Sequence, residues 1–164
     1  EVKELGKECF WEKWCHKSQI FLSLFIIYFL YNFFSITPYH YTYLNFLNGD
    51  SESRYKKFEG DYWGSSVKEL IRNSNFENNK SLSFATCGVN PFVAKNYLKK
   101  KGYTNFNLVA PDKANYIIMT NRVVINDLQN ESSNKLTNCF DKFKGKNVFK
   151  VSRNDLLLSV IRKI

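Results

Sequence analysis

The sequence predicts one transmembrane helix followed by a small α/β domain, built from a βαβ unit and a C-terminal β-hairpin. Three observations predict this fold class. An apolar run without charged side chains occupies residues 18–36. A strand, a helix and a second strand are predicted within residues 82–109, and two strand-like runs lie within residues 148–161. The strand–helix–strand order is typical of parallel strands joined by a right-handed crossover.

The apolar run is long enough to span a bilayer. A helix needs about 20 mostly apolar residues to cross the ~30 Å hydrocarbon core. The run is apolar all round, which disfavours an amphipathic helix lying on the surface. Pro38 disfavours a helical residue before it, so we expect the helix to end near Ile36. A secretory signal peptide is the main alternative, but small residues would follow its apolar core, and here Thr37-Pro38-Tyr39-His40-Tyr41 follows.

The flanks of the run predict its orientation. Cytoplasmic flanks of membrane helices carry an excess of lysine and arginine. No lysine or arginine follows the run until Arg54, whereas four lysines precede it: Lys3, Lys7, Lys13 and Lys17. We therefore expect the N-terminal side in the cytoplasm and the domain outside. Several tyrosines suit an aromatic belt at the membrane surface: Tyr28, Tyr31, Tyr39, Tyr41 and Tyr43.

Four segments are predicted along the chain. They are a cytoplasmic flank at residues 1–17, the transmembrane helix at 18–36, an aromatic membrane-exit segment at 37–64 and a small extracytoplasmic α/β domain at 65–164. The first residue is Glu1 rather than Met. We interpret the chain as a piece of a longer protein, its C-terminal end.

Local signals predict the first elements of the domain. Ser66-Val67-Lys68-Glu69 matches a capping box, which predicts a helix over residues 66–73. The apolar run at residues 82–87, ended by Gly88, predicts a strand. Asn90-Pro91 then predicts the start of a second helix, over residues 92–101. Gly102 is expected to end this helix. The apolar side of the helix is predicted to consist of Val93, Ala94, Tyr97 and Leu98.

Further strands are predicted towards the C-terminus. One covers residues 106–109 and another residues 114–120. Residues 148–151 and 156–161 flank a Ser-Arg-Asn-Asp turn and predict a β-hairpin. The polar stretch at residues 126–138 is predicted to be a loop.

The charge and the cysteines restrict the classes of partner and compartment. A net charge of +9 is compatible with nucleic acid, anionic lipid or acidic substrates, and the apolar run favours the membrane surface. Cys9 and Cys15 lack the C-x-x-C spacing of a zinc or redox site. Cys87 ends an apolar run and is expected to be buried. A disulfide between Cys87 and Cys139 can form if the domain faces an oxidising compartment, and the sequence leaves this open.

No catalytic constellation is visible in the sequence. It contains no Gly-rich phosphate loop, no H-E-x-x-H and no G-x-S-x-G motif. We interpret His40 as an interfacial residue rather than a general base. Glu59 and Asp61 are two neighbouring carboxylates that could do acid–base work. We favour Asp61 as a cap or turn anchor, and we assign no catalytic, cofactor or metal residue to this chain.

Two longer motifs resemble a known family. The first is Thr37-Pro38-Tyr39-His40-Tyr41-Thr42-Tyr43-Leu44-Asn45, and the second is Phe58-Glu59-Gly60-Asp61-Tyr62-Trp63-Gly64-Ser65-Ser66-Val67-Lys68-Glu69. Together they resemble the segment after the last membrane helix in bacterial polytopic glycosyltransferases of the dolichyl-phosphate-mannose–protein mannosyltransferase family, which have the GT-C fold. Residues 114–122 are similar to a strand of the same tail. The resemblance singles out residues that we interpret as structural: Pro38, Tyr39, Tyr41, Asn45, Asp61, Tyr62, Trp63 and Gly64.

The resemblance implies a function for the longer protein. Members of this family move a sugar from a polyprenyl-phosphate donor to an acceptor on the outer side of the membrane. Their catalytic carboxylate lies in an early extracytoplasmic loop, which this chain does not contain. The resemblance therefore implies a last span and an extracytoplasmic tail in the bacterial inner membrane, with the lipid bilayer as partner and the sugar donor bound upstream.

Two other classes of function remain as alternatives. One is a single-span anchor that carries an extracytoplasmic interaction domain without catalytic activity, in keeping with the lack of a catalytic constellation. The other is nucleic-acid binding, which rests on the net charge alone, and we expect no nucleic acid partner.

Overall fold

The structure of the chain is a computed structural model. The structure describes residues 2–40, 50, 61, 63–77, 81–125, 136–153 and 155–164. For residues 2–14, 125 and 136 it describes the backbone but not the side chain. The chain divides into two compact units, Glu1–His40 and Tyr41–Ile164. Each unit is described by itself.

The first unit is dominated by one long helix. Helix α1 comprises Val2–Ile36, 35 residues, and is therefore about 52 Å long. It starts well before the apolar run and continues through it. Its end at Ile36 agrees with the restriction that Pro38 places on the residue before it. After the helix the chain turns tightly, because the amide of Tyr39 donates to the carbonyl of Ile36 at 2.7 Å, and the Thr37–Pro38 peptide is cis.

A segment of α1 is long and apolar enough to cross a membrane. This segment is Cys15–Ile36, 22 residues, or about 33 Å of helix. The large apolar side chains from Ile20 to Phe34 expose 42–74% of their surface, on all sides of the helix. Tyr28 and Tyr31 are exposed as well, but Tyr39 is only 4% exposed. The expectation that Tyr39 joins an aromatic belt is therefore wrong for its ring, which is buried.

The second unit is a mixed α/β domain, which confirms the predicted fold class of an apolar helix followed by an α/β domain with a strand hairpin. Its helices are α2 (Ser66–Asn73), α3 (Pro91–Lys101) and α4 (Cys139–Lys142), with a 3-10 turn at Pro111–Lys113. Its strands are β1 (Leu82–Cys87), β2 (Phe106–Leu108), β3 (Tyr116–Thr120), β4 (Val123–Ile125), β5 (Leu136–Asn138), β6 (Lys146–Arg153) and β7 (Leu156–Lys163).

Five strands form one sheet in the order β2-β1-β3-β7-β6. Strand β1 is parallel to both β2 and β3, with Phe84 opposite Tyr116, and β7 is antiparallel to β3 and β6. The pairing of β6 with β7 shifts register twice: the extra residue is on β6 between Asn147 and Phe149, and on β7 between Leu157 and Ser159. Strands β4 and β5 form a separate antiparallel pair. The predicted βαβ unit and the terminal hairpin are both confirmed.

Helices α2 and α3 cover one face of the sheet. Helix α2 contacts β6, β7 and α3, while α3 contacts β1. Each helix is buried along a narrow stripe: Val67, Leu70 and Ile71 on α2, and Ala94 and Leu98 on α3. Val93 was predicted to be on the apolar side of α3 but is exposed, because the buried positions of α3 are four residues apart and Val93 lies beside that stripe.

An aromatic cluster covers the part of this sheet face next to the end of α2. Phe76 stacks edge-on against four rings, those of Phe84, Tyr103, Tyr116 and Phe149, with centroids 4.8–5.8 Å apart. The hydroxyl of Tyr103 accepts from the amide of Phe76 at 3.0 Å and donates to the carbonyl of Ser74 at 3.1 Å. Edge-to-face ring pairs add about 0.5–1.5 kcal/mol each beyond area burial, so this cluster fixes the chain between α2 and β1.

The opposite face has its own core. Ala85, Cys87, Ile117, Met119 and Val160 point to this side of the sheet and are buried with Cys139 and Phe140 of α4. Arg162 holds the end of α4, because its guanidinium donates to the carbonyls of Phe140 and Phe143. The short helix α4 therefore closes the second layer of the domain.

Several sequence predictions need correction at the level of the elements. The predicted loop at residues 126–138 contains β5 at its C-terminal end, since Leu136–Asn138 pairs with Val123–Ile125; residues 126–135 lie outside the described residues. Strand β2 ends at Leu108 rather than at residue 109, and β3 begins at Tyr116 rather than at residue 114. The amide of Val109 still donates to the carbonyl of Phe84 at 2.9 Å.

A bidentate ion pair joins α2 to β6. One guanidinium nitrogen of Arg153 donates to both carboxylate oxygens of Glu69, at 2.9 and 2.8 Å. Both side chains are mostly buried, with 25% and 19% of their surface exposed. The pair connects positions 84 residues apart in the chain, and it fixes the helix against the hairpin.

We expect that replacing Ser159 by alanine does not destabilise the domain. Ser159 is fully buried, and its hydroxyl has no hydrogen-bond partner within the described part of the chain. A buried hydroxyl without a partner costs about 1–3 kcal/mol. The Ser159→Ala variant should therefore equal the wild type or gain up to about 1 kcal/mol in free energy of unfolding. Pulse proteolysis of the full chain in detergent, over a urea series, measures this.

Ser66 provides the matched control for this prediction. It is also a fully buried serine, but its hydroxyl donates to Asp61. Ser66→Ala should lower the free energy of unfolding by about 1.5–3 kcal/mol, because the lost hydrogen bond is to a carboxylate. Equal losses in both variants would show that Ser159 has a partner after all.

Candidate functional site at the carboxyl edge of the parallel strands

The three parallel strands create a switch point in the sheet. The chain leaves β1 towards α3 and β2 on one side, and it returns to β3 on the other side of β1. In open α/β sheets, ligands bind outside the carboxyl ends of the strands at such a point. The segments after β1 and β3, which begin at Gly88 and Asn121, therefore border the candidate ligand-binding site.

The two segments are packed directly on one another. Thr120 donates from its hydroxyl to the carbonyl of Gly88 at 3.0 Å. Gly88 has a φ of +73°, and a Cβ there would lie 2.6 Å from the Thr120 hydroxyl and 2.8 Å from the Cβ of Arg122. Only glycine fits this backbone, because it tolerates positive φ and adds no side chain. The crevice at the switch point is therefore filled by the protein itself.

A disulfide lies next to Gly88. Cys87, the last residue of β1, is bonded to Cys139, the first residue of α4, with Cα atoms 5.7 Å apart. That Cα separation is within the usual range for a disulfide. The bond joins positions 52 residues apart, and both residues belong to the buried core of that face. The pair left open by the sequence is thus formed.

Two asparagines complete this edge. Asn121 is fully buried, and its side-chain oxygen accepts from the side-chain amide of Asn138. The oxygen of Asn138 accepts from the amide of Phe140 at 2.9 Å, which caps α4, and the amide of Cys139 donates to the carbonyl of Arg122 at 2.9 Å. These contacts hold β5 and α4 against the end of β3.

The Asp-Tyr-Trp-Gly segment meets the same edge. Gly64 has a φ of +64°, and a Cβ at Gly64 would be in ordinary contact with Val89, Val67 and Thr120. Val89 follows β1, and Thr120 ends β3. The motif therefore packs against the residues that close the switch point, although it lies far from them in the sequence.

Asp61 caps the start of α2. It is fully buried, and its two carboxylate oxygens accept from the amides of Ser65 and Ser66, each at 2.9 Å. The Ser66 hydroxyl donates to the same carboxylate. The capping-box prediction is therefore wrong in its details: Ser66 is bonded to Asp61, and Glu69 is bonded to Arg153. The interpretation of Asp61 as a cap is confirmed.

Trp63 is an exposed residue of the motif. It exposes 78% of its surface, between the buried Asp61 and the packed Gly64. Phe92, in the first turn of α3, exposes 76%. Large aromatic side chains are favourable contact residues for partners, because they bury much area with few rotatable bonds.

The remaining predicted residues are distributed as follows. Pro38 lies in the turn after α1, and Tyr39 is buried. The ring of His40 stacks on Phe33, with centroids 4.0 Å apart, and it shares a hydrogen bond of 3.2 Å with the Thr37 hydroxyl. Three of the predicted residues, Tyr41, Asn45 and Tyr62, lie outside the described residues, as does Glu59.

The described residues offer no metal-binding cluster. Among them, no group of three or more histidine, cysteine, aspartate or glutamate side chains could hold a metal ion. The buried carboxylate Asp61 is committed to the start of α2. Sequence reasoning missed Gly88, Thr120 and Asn121 at this edge; the glycine directly after a cysteine-ended strand was the available signal.

The comparisons with known proteins add no relative. No protein-family model, no curated protein and no solved structure matches this chain.

Proposed function

We propose that the chain is the C-terminal part of an integral membrane glycosyltransferase that uses a polyprenyl-phosphate-linked sugar donor. It would supply the last membrane span and an extracytoplasmic domain. The observation that supports this most is the Asp-Tyr-Trp-Gly segment, which follows the apolar helix in the sequence. Its Asp61 and Gly64 pack within the domain. This is the segment on which the resemblance to the mannosyltransferase family rests.

The apolar helix supports the membrane span. Soluble proteins rarely expose large contiguous apolar surfaces, yet the side chains from Ile20 to Phe34 are exposed all round. The lysines in the N-terminal part of α1, before its apolar run, favour a cytoplasmic N-terminal side. A cleaved signal sequence would have a similar helix, and carbonate extraction distinguishes the two, because a retained span stays in the membrane pellet.

The disulfide supports an extracytoplasmic location of the domain. Disulfides form and persist in the periplasm and outside cells, and they are rare in the cytosol. Cys87 and Cys139 are bonded in the core of the domain. We therefore place the domain on the extracytoplasmic side of the bacterial inner membrane, as the lysine flank also favours.

The placement predicts a cysteine-labelling pattern in cells. The chain has four cysteines, Cys9, Cys15, Cys87 and Cys139. After acid quenching, which stops thiol exchange, and denaturation, polymer-tagged maleimide should add twice without reductant and four times with it. The domain pair is oxidised, whereas Cys9 and Cys15 would lie on the reducing cytoplasmic side. Four additions without reductant would place the domain in the cytosol. The C87S/C139S variant is the control and should add twice under both conditions.

The domain would act as a supporting part rather than as the catalytic part. The described residues contain no acid–base pair in a cleft, and Asp61 is occupied by the start of α2. Binding and orientation of the acceptor, through exposed groups such as Trp63, is the role that remains for the domain in such an enzyme.

An activity assay on the complete gene product tests the proposal. Membranes that contain it should transfer labelled sugar from a polyprenyl-phosphate sugar, above membranes from an empty vector. The Trp63→Ala variant should raise KM for the acceptor with little change in the folded fraction, because Trp63 is exposed. Absence of transfer with several donors, in membranes that hold the folded protein, would contradict the proposal.

A second function is favoured by one observation. The switch point is filled by Thr120, Arg122 and the disulfide, which suits a domain that binds a partner on its surface. The alternative is therefore a single-span anchor that carries an extracytoplasmic interaction domain without catalytic activity. It predicts membrane retention without sugar transfer in the assay above.

A further inference from the structure

The outer surface of α2 and α3 carries a basic cleft that none of the motifs explains. The cleft has a volume of about 240 Å³ and is lined by Lys68, Arg72, Tyr97, Lys100 and Lys101. We propose that this basic cleft binds the phosphate head group of an anionic lipid. The inference rests on the proposed membrane span, which would bring the domain to a lipid surface.

Helical spacing explains why the cations converge. Lys68 and Arg72 are four residues apart on α2, and Tyr97 precedes Lys100 and Lys101 by three and four residues on α3. Side chains at these spacings lie on one face of a helix. Because α2 and α3 are in contact, their two basic faces form the opposite walls of one cleft.

The charge of the basic cleft is not compensated by the residues that line it. They include four cations and no carboxylate. Within the residues that the structure describes, the only ion pair of α2 is that of Glu69 with Arg153, so the nearest carboxylate of the helix is bound elsewhere. Like charges at this spacing repel one another, so an anion bound between them would relieve the repulsion.

One cation of the basic cleft is fixed in position. The ammonium of Lys101 donates to the carbonyl of Arg72 at 2.6 Å, at the C-terminal end of α2. This contact uses one of the three donor hydrogens of the ammonium. The remaining hydrogens, with the Tyr97 hydroxyl and the Arg72 guanidinium, are donors of the kind that phosphate oxygens accept.

The size of the basic cleft selects the ligand class. Sites for drug-sized molecules are about 300–1,000 Å³, and the basic cleft is smaller. It suits a head group rather than a nucleotide or a nucleic acid strand. Lysine and arginine side chains that face an anionic lipid surface contribute about 1 kcal/mol each to binding.

Native mass spectrometry of the full chain in detergent tests the inference. The probes are short-chain phosphatidylglycerol, short-chain phosphatidylcholine and inorganic phosphate, each titrated separately. We expect phosphatidylglycerol to bind at least about tenfold more tightly than either of the others. Equal binding of phosphatidylcholine, or equally tight binding of inorganic phosphate, would overturn the assignment to an anionic lipid.

Two variants of equal charge locate the site. K68Q/R72Q/K100Q removes three cations of the basic cleft, and K95Q/K113Q/K142Q removes three exposed lysines elsewhere in the domain. Phosphatidylglycerol binding should weaken at least about tenfold in the first variant and little in the second. Equal weakening would show general charge attraction and would overturn the site. Thermal unfolding of both variants verifies that they are folded.

Failure of this inference can be told from failure of the proposed function. Carbonate extraction reports on the membrane span, and sugar transfer reports on the glycosyltransferase. The K68Q/R72Q/K100Q variant should remain in the carbonate-resistant pellet. Loss of lipid binding with an intact span and intact transfer is specific to the basic cleft.

Discussion

Replacing Asp61 by alanine is expected to lower the free energy of unfolding of the domain by about 3 kcal/mol. The carboxylate is fully buried and accepts from the amides of Ser65 and Ser66 and from the Ser66 hydroxyl. Without it, donors at the start of α2 lose their partner in a place that excludes water. Each buried group left without a partner costs about 1–3 kcal/mol.

Two further variants separate the contributions at Asp61. Asp61→Asn keeps one oxygen acceptor and should recover part of the loss. Asp112→Ala is the matched control, because Asp112 is an exposed aspartate in the 3-10 turn, and its effect should stay within about 0.5 kcal/mol. Pulse proteolysis in urea on the full chain measures all three. Equal midpoints for Asp61→Ala and Asp112→Ala would mean that the cap does not stabilise the domain.

Removal of the disulfide is expected to have the larger effect. The Cys87–Cys139 bond closes a loop of 52 residues, for which the chain-entropy model gives about 4 kcal/mol. The C87A/C139A variant should therefore unfold at a much lower urea concentration than the oxidised wild type. Reduction of the wild type should produce a loss of similar size.

A free cysteine gives the control for this prediction. Cys15 is exposed and unpaired, so Cys15→Ala should unfold at the wild-type midpoint, with or without reductant. Identical midpoints of the oxidised and the reduced wild type would show that the bond contributes nothing to stability.

The elements that local signals control could be predicted from the sequence. Helix α2 has the predicted bounds, and α3 begins at the predicted cap, where the Asn90 side chain accepts from the amide of Phe92 at 2.9 Å. Gly102 ends α3 with a φ of 100°. The β6–β7 hairpin follows from two apolar runs around a short turn, in which Asp155 has a φ of 60°. In each case residues within one or two turns decide the outcome.

The features that distant residues control could not be predicted. Glu69 is hydrogen-bonded to Arg153 rather than to the amides at the start of α2, and Glu69 and Arg153 are 84 residues apart. Strands β4 and β5 have three residues each and exist through their pairing with one another. The position of β3 beside β1, which creates the switch point, is set by the packing of the whole sheet. A single sequence contains no pattern for such contacts.

The candidate site was predicted in part. The sequence singled out Asp61, Trp63 and Gly64, and their roles as cap, exposed ring and packed turn follow from the structure. It did not indicate that Gly64 meets Val89 and Thr120, because these contacts join three separate segments. The site is formed where these three segments meet rather than by any one motif.

The irregular pairing of β6 has a consequence for self-association. Strand β6 is an outer strand of the described sheet, eight residues long, and an outer strand of that length can template aggregation by pairing with another chain. The extra residue of β6 between Asn147 and Phe149 interrupts its regular row of amides, and Lys146 and Lys150 are exposed along the strand. Kinks and charged lysines on an outer strand are both known deterrents to such pairing. Neighbouring copies of the domain should therefore remain separate even when they are crowded together.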